Sequence, residues 1–197
     1  MQPAASPACH LSARDLACRR GDRVLFAGLS LELAGGEALQ VAGPNGIGKS
    51  SLIRILGGLL DPSAGTVSRS GQAGLVDERP ALDQHLPLAQ ALVFWERFDG
   101  RAAAATRQLG LHNLGDVPVR YLSTGQKKRA ALARLIAQAA PVWLLDEPLN
   151  GLDSDAAALV EQLVAQHCAS GGLAVIASHQ AITLPGTRRL DLCEFAA

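Results

Sequence analysis

Hydrophobic positions change period along the chain, and the changes mark its elements. Leu29, Leu31 and Leu33 alternate with polar neighbours, as on a strand with one wet face. From Leu11 to about Gly36 the pattern predicts short strands around a turn at Gly21–Asp22, and Gly35–Gly36 reads as a second turn. Ala38–Ala42 is a short apolar strand running straight into a glycine-rich loop, Gly43–Ser50. Ser51–Leu60 then reads as a helix carrying Leu52, Ile53, Ile55, Leu56 and Leu59, and it ends near Asp61–Pro62. Further helices are expected at Leu88–Phe98, Arg101–Leu109, Gly125–Ala139 and Asp155–Cys168. Apolar strands are expected at Val142–Leu145 and Leu173–Ala177, with a short one at Arg189–Cys193. Strands alternating with helices favour an α/β fold, a mainly parallel sheet covered by helices. Residues 1–10 read as a loose, flexible tail, residues 11–197 as one domain, and about 82–139 as a helical subdomain within it.

Composition narrows the function. The 197 residues suit one domain with a real core. Eighteen acidic residues balance eighteen basic ones, so no broad attraction to nucleic acid or anionic lipid is indicated. No segment approaches the roughly 18 apolar residues that cross a bilayer. A self-contained channel or carrier is thereby excluded, whereas a subunit attached to one is not. Cys9, Cys18, Cys168 and Cys193 are scattered, which suggests neither a zinc site nor a disulfide framework. The chain does not open on a basic segment followed by an apolar run, so a secretory signal is not expected and a cytosolic location is. His167–Cys168, at a helix end, reads as structural rather than as a ligand pair. Lysine occurs only at Lys49, Lys127 and Lys128, all inside the motifs that follow.

The strongest local signal is Gly43-Pro44-Asn45-Gly46-Ile47-Gly48-Lys49-Ser50, a GxxxxGK[ST] loop between a strand and a helix. Its glycines permit tight turning, so successive N–H groups can cradle phosphate oxygens at the positive end of the next helix. Lys49 is expected to reach the β and γ phosphates, and Ser50 to bind Mg²⁺; Ser51 belongs to the same phosphate site. A second signal is Val142-Trp143-Leu144-Leu145-Asp146-Glu147, an apolar strand delivering two carboxylates. Asp146 suits a Mg²⁺ ion or its waters, and Glu147 an attacking water. These two elements specify a P-loop NTPase that takes a nucleoside triphosphate with Mg²⁺. They leave its class open, and a nucleotide kinase would satisfy both.

Leu122-Ser123-Thr124-Gly125-Gln126 ahead of Lys127-Lys128-Arg129 supplies the class. Here the chain resembles the nucleotide-binding domains of ATP-binding cassette proteins. Their usual signature is LSGGQ, with Thr124 standing at the third place. The remaining matches fall in family order: Gly43–Ser50, Leu144–Glu147, a D-loop at Asn150-Gly151-Leu152-Asp153, and a switch histidine at His179. The resemblance implies two domains closing head to tail on two ATP molecules, each nucleotide meeting one phosphate loop and the other subunit's Ser123, Thr124, Gly125 and Gln126. It implies Glu147 polarising water, His179 contacting the γ-phosphate and Asp153 among the nucleotide-binding residues. The alternative for Ser123–Gln126 is an ordinary helix cap. Lys127, Lys128, Arg129 and Arg134 read as a surface helix near the dimer region rather than a nucleic-acid patch, since only Tyr121 is near for stacking.

Two places depart from the family pattern. Arg20 stands nearest the aromatic that stacks on adenine, and a guanidinium plane can stack on a base. In Leu75-Val76-Asp77-Glu78-Arg79-Pro80 no glutamine follows the strand; Arg79 is nearest and cannot ligate Mg²⁺, leaving water or Glu78 to replace that contact. Within the family the chain is most similar to ATP-binding subunits of bacterial haem exporters for cytochrome c biogenesis, through Arg19–Arg20, the Leu122–Arg129 run, Leu92-Val93-Phe94-Trp95 and Ser178-His179-Gln180. That similarity implies a homodimer on integral membrane permease subunits, peripheral to the cytoplasmic face of the inner membrane, with haem as cargo and no nucleic acid. An exporter of another cargo, or a soluble cassette ATPase acting on nucleic acid or ribosomes, is the alternative.

Overall fold

A computed structural model of the chain describes residues 9–77, 81–95 and 101–196. Two sheets carry the fold. In the first, strands β1 (His10–Arg20), β2 (Arg23–Ala34) and β4 (Ala64–Ser70) pair antiparallel in the order β2-β1-β4. The β1–β2 hairpin closes at Gly21–Asp22, and Leu29, Leu31 and Leu33 are buried between exposed neighbours. The second sheet joins β3 (Ala38–Ala42), β5 (Ala73–Val76), β6 (Val142–Asp146), β7 (Leu173–Ala177) and β8 (Arg188–Asp191) in the order β5-β6-β7-β3-β8, all parallel. The expected α/β class, with a parallel core sheet and N-terminal antiparallel strands, is therefore the fold observed.

Strand β7 is apolar throughout, and β6 is apolar up to its closing Asp146, because both faces of the parallel sheet are covered. Val142, Leu144, Leu173 and Val175 join a core with α1 (Lys49–Leu56) and the antiparallel sheet. Trp143, Leu145, Ala174 and Ile176 face a second core containing residues of α2 (Leu88–Val93), α3 (Arg101–Gln108), α4 (Thr124–Ala137) and α5 (Ser154–Ala169).

Several boundaries differ from the sequence reading for identifiable reasons. His10 opens β1 and Cys9, just before it, is buried in the core, so these two residues belong to the folded domain rather than to a tail; residues 1–8 lie outside the described residues. Helix α1 begins inside the glycine loop at Lys49 and stops at Leu56, because Gly57 and Gly58 follow and Gly58 adopts φ 72°. Leu59 is left 65% exposed. Helix α2 ends at Val93, Phe94 and Trp95 form a turn, and residues 96–98 of the expected helix lie outside the described residues. Helix α4 is no surface helix: Ala130 to Leu135 are buried, Arg134 included. The Arg134 guanidinium lies 4.9 Å from the Trp95 ring centroid and donates to the Leu75 carbonyl. Lys127 donates to the Arg120 carbonyl at 3.0 Å, and Arg129 to that of Leu109 at 3.2 Å.

Candidate functional site

Strand β3 delivers the glycine loop to the carboxyl edge of the parallel sheet, where ligands bind open α/β folds. Buried Leu52, Ile53, Ile55 and Leu56, worth about 1.5–3 kcal/mol each, hold α1 and therefore the loop it begins. Gly48 has φ 117°, and a β-carbon there would lie 3.1 Å from Phe26 and 3.2 Å from Leu25. Only glycine lets the backbone turn this tightly against β2. Gly48 is also the N-cap of α1, so no side chain caps the first N–H groups and they remain free to bind an anion.

Lys49 is buried, at 6% exposure. Its Nζ donates to the Gly43 carbonyl at 2.8 Å and to that of Pro44 at 3.2 Å, and lies 3.4 Å from Glu147 Oε1. Glu147 Oε2 accepts from His179 Nδ1 at 2.8 Å. One carboxylate is thus held between an ammonium and an imidazole. Glu147 itself has φ 48°, a left-handed conformation that a side chain adopts only under constraint and one that clusters at functional sites. The cleft has a volume of about 350 Å³ and is lined by Asn45, Gly46, Gly48, Lys49, Ser50, Ser51, Glu147 and His179, with Leu25 and Asn150 completing its wall.

Asp146 ends β6 beside this cleft. It is 6% exposed, and burial raises its carboxyl above the ordinary range. The Glu147 charge adds to that rise, while the Ser50 hydroxyl, hydrogen-bonded to Asp146, and the charge of Arg54 oppose it. Oδ1 of Asp146 is buried without a hydrogen-bond partner. A buried, unpaired carboxylate oxygen beside a hydroxyl is a hard oxygen donor set that suits Mg²⁺. Asp77 follows β5, also acts on Asp146, and lies 3.7 Å from Arg54.

The structure therefore brings together most of the expected phosphate-site residues; Gly43 and Pro44 contribute carbonyls to Lys49, and the Ile47 N–H contacts the Pro44 carbonyl at 3.4 Å. The signature segment does not line this cleft. Ser123 caps α4 in a reciprocal box: its Oγ accepts from the Gln126 N–H at 3.2 Å, and Gln126 Oε1 accepts from the Ser123 N–H at 2.8 Å. Thr124 packs by its methyl toward Gly151, and a β-carbon on Gly125 would meet Leu152 at 3.6 Å. Asp153 caps α5 through the Ala156 N–H at 2.8 Å. Arg20 is exposed at the hairpin end, while Glu78 and Arg79 lie outside the described residues. Leu25 and Asn150 escaped the sequence reading as cleft walls. Asn150 stood in a recognised motif, whereas nothing local marks Leu25.

Comparison with known proteins finds relatives over nearly the whole chain. A family model described as ABC transporter matches residues 26–150. A Novosphingobium aromaticivorans protein named cytochrome c biogenesis ATP-binding export protein CcmA is 59% identical over 187 residues, 95% of this chain and 97% of that one. A Sphingopyxis alaskensis protein of the same name is 53% identical over 174 residues, 86% of this chain and 90% of its own. Among solved structures, the dimeric post-hydrolysis state of the ATP-binding cassette MJ0796 bound to ADP and Pi superposes with a TM-score of 0.76, covering 86% of this chain and 88% of that one. At 23% identity that likeness is one of fold.

Proposed function

Because the chain belongs to the ATP-binding cassette transporter family and is an ATPase of that family, we propose that it is the ATP-hydrolysing subunit of a membrane complex that exports or delivers haem during cytochrome c maturation. The observation that carries the catalytic half of this reading is Glu147, held between Lys49 and His179 over the phosphate loop. The close relatives named for cytochrome c biogenesis export, similar over nearly the whole chain, support the physiological half.

Gly43 to Ser51 wrap the phosphates with backbone N–H groups, and the Lys49 ammonium turns from the Gly43 and Pro44 carbonyls to the β and γ phosphates. Ser50 and Asp146 would hold Mg²⁺, which would supply positive charge against the phosphates. Glu147 accepts a hydrogen bond from the attacking water and aligns it. His179, tied to Glu147 through Nδ1, leaves Nε2 to meet the γ-phosphate.

Two copies face head to tail. Ser123, Thr124, Gly125 and Gln126 present the N-terminal end of α4 to the nucleotide on the partner subunit, and Asp153 lies along the same interface. That these residues stand outside the cleft of their own chain supports a role across the interface, and the capping box keeps the helix start ordered for it. The homodimer couples to integral membrane permease subunits of the maturation complex and sits peripherally on the cytoplasmic face of the inner membrane. Among the described residues no helix is long and apolar enough to cross a membrane.

The deciding experiment is deletion of the gene, followed by assay of covalent haem on c-type cytochromes and of the apoproteins. Loss of the first with retention of the second is expected, restored by the wild-type chain and not by Glu147→Gln. Normal maturation in the deletion strain refutes the proposed role.

A further inference from the structure

The turn from Glu147 to Asn150 separates two concavities. One is the phosphate cleft. The other, of about 380 Å³, is lined by Asp77, Thr124, Lys127, Lys128 and Gly151, and Asn150 borders both. Lys128 connects them. Its Nζ donates to the backbone carbonyl of Glu147 at 2.6 Å, and the same carbonyl accepts the Asn150 N–H at 3.3 Å.

That carbonyl belongs to the peptide joining Glu147 to Pro148. Glu147 has φ 48° and precedes a proline, so its backbone is constrained twice and stays in place only through its contacts. Its N–H donates to the Ala177 carbonyl at 2.8 Å, which anchors it to β7. The Lys128 ammonium anchors its other end with a charge-assisted bond. Unlike the β7 contact, this one comes from α4, the helix that Ser123 caps. Lys128 lies about 7.5 Å along the helix axis from Ser123, within a stiff element. The same helix also passes close to the residue after the turn, since a β-carbon on Gly151 would sit 3.6 Å from the Thr124 methyl. Helix α4 therefore holds the catalytic turn at Glu147 and flanks its other end.

We propose that Lys128 is a positioning residue that links engagement of the signature segment to the aim of Glu147 within the same chain. This inference rests on the dimer reading above. When Ser123 and Gly125 close on the nucleotide of the partner subunit, α4 shifts as a unit and Lys128 carries the shift to the Glu147–Pro148 peptide. That peptide sets where the carboxylate points, and a misplacement of about 1 Å is enough to cost about a hundredfold in rate. Each subunit thereby hydrolyses its own ATP efficiently only when it has gripped the other's.

The test uses the full chain with Lys128→Met, which removes the donor and keeps the stem, Lys128→Gln as a second variant, and Lys128→Arg, which restores a cation. Binding of a fluorescent ATP analogue, ATPase rate against ATP concentration and thermal melting are measured for each. The Met and Gln variants are expected to bind nucleotide as the wild type does. Their kcat falls roughly tenfold, and the Hill coefficient drops from about 2 toward about 1. Lys128→Arg recovers both. A dimeric, cooperative wild type whose Met and Gln variants keep their kcat and Hill coefficient overturns the role of Lys128 alone. Weaker binding or lower melting at unchanged kcat would also overturn it, by showing a purely structural contact. A wild type that turns over ATP as a monomer removes the dimer reading and this inference with it.

Discussion

The two edges of the parallel sheet each carry a concavity, and the larger is not the one built for chemistry. At the amino edge a cavity of about 460 Å³ is lined by Cys9, Pro141, Trp143, His167 and Gly171 among others. The polar atoms of His167 and Cys9 are satisfied within the chain. His167 Nε2 meets the Pro141 and Leu173 carbonyls at 3.1 and 3.2 Å, and Cys9 Sγ donates to the Gly171 carbonyl at 3.1 Å. Trp143 stacks on His167 with ring centroids 4.0 Å apart. At the carboxyl edge the cleft is smaller, yet Asp146 Oδ1 has no partner, the start of α1 has no side-chain cap, and Glu147 is strained. Unspent hydrogen-bonding capacity and stored strain, rather than volume, distinguish a reactive site from a well-packed structural end.

Substitutions at the two ends should separate cleanly. Glu147→Gln keeps the shape of the side chain and removes the acceptor for the proton of water. Turnover should fall by about two to four decades while ATP binding persists and an ATP-bound dimer accumulates on size-exclusion chromatography. Rapid hydrolysis in that variant would reject Glu147 as the group that polarises water. Trp143→Ala at the opposite edge should cost about 3–5 kcal/mol of stability, read by urea denaturation. Turnover of the protein that remains folded should stay within about twofold of the wild type, because the lost packing lies far from the reacting atoms. A tenfold loss would show that β6, which carries Trp143 and Asp146, does not insulate its two ends. A smaller effect is expected of Lys49→Ala: nucleotide affinity should drop by about ten- to a hundredfold, the worth of a hydrogen bond to a charged group. Unchanged titration curves would remove Lys49 from the phosphate site.

Legibility in the sequence followed the same division. Gly43–Ser50 and Asp146–Glu147 could be read because each is continuous in the chain and its chemistry depends on immediate neighbours. His179 is 32 residues beyond Glu147, and its place opposite that carboxylate is set by β6 and β7 lying side by side, so only family order pointed to it. Arg134 looked like one more charge on a basic helix; its burial comes from Trp95 and the Leu75 carbonyl, partners 39 and 59 residues away. Strand β4 went unseen because most of its residues are exposed and its sequence shows no alternation. It is a strand through its pairing with β1, a contact that no local pattern encodes. The capping pattern of Ser123 and Gln126 was visible, and the structure contains it. That finding shows how the signature helix is started, while its meeting with a nucleotide depends on a second chain.

The smallest expected effect is a pH dependence confined to the structural end. Burial holds the His167 imidazole below its ordinary pKa, with its hydrogen bonds to Leu173 and Pro141 opposing the fall. The unfolded chain takes up this proton near about pH 6.5, whereas the folded chain resists it until the pH is lower. Below about pH 6.5 the unfolded state therefore binds more protons, and stability declines as the pH falls through the depressed folded pKa. His167→Gln should be less stable at neutral pH, since it loses the stack on Trp143, but its melting temperature should fall less steeply between about pH 6.5 and pH 5. Equal slopes in His167→Gln and the wild type would mean that the half-buried imidazole is protonated as readily as an exposed one. The amino edge would then be an open, hydrated cavity rather than a packed one.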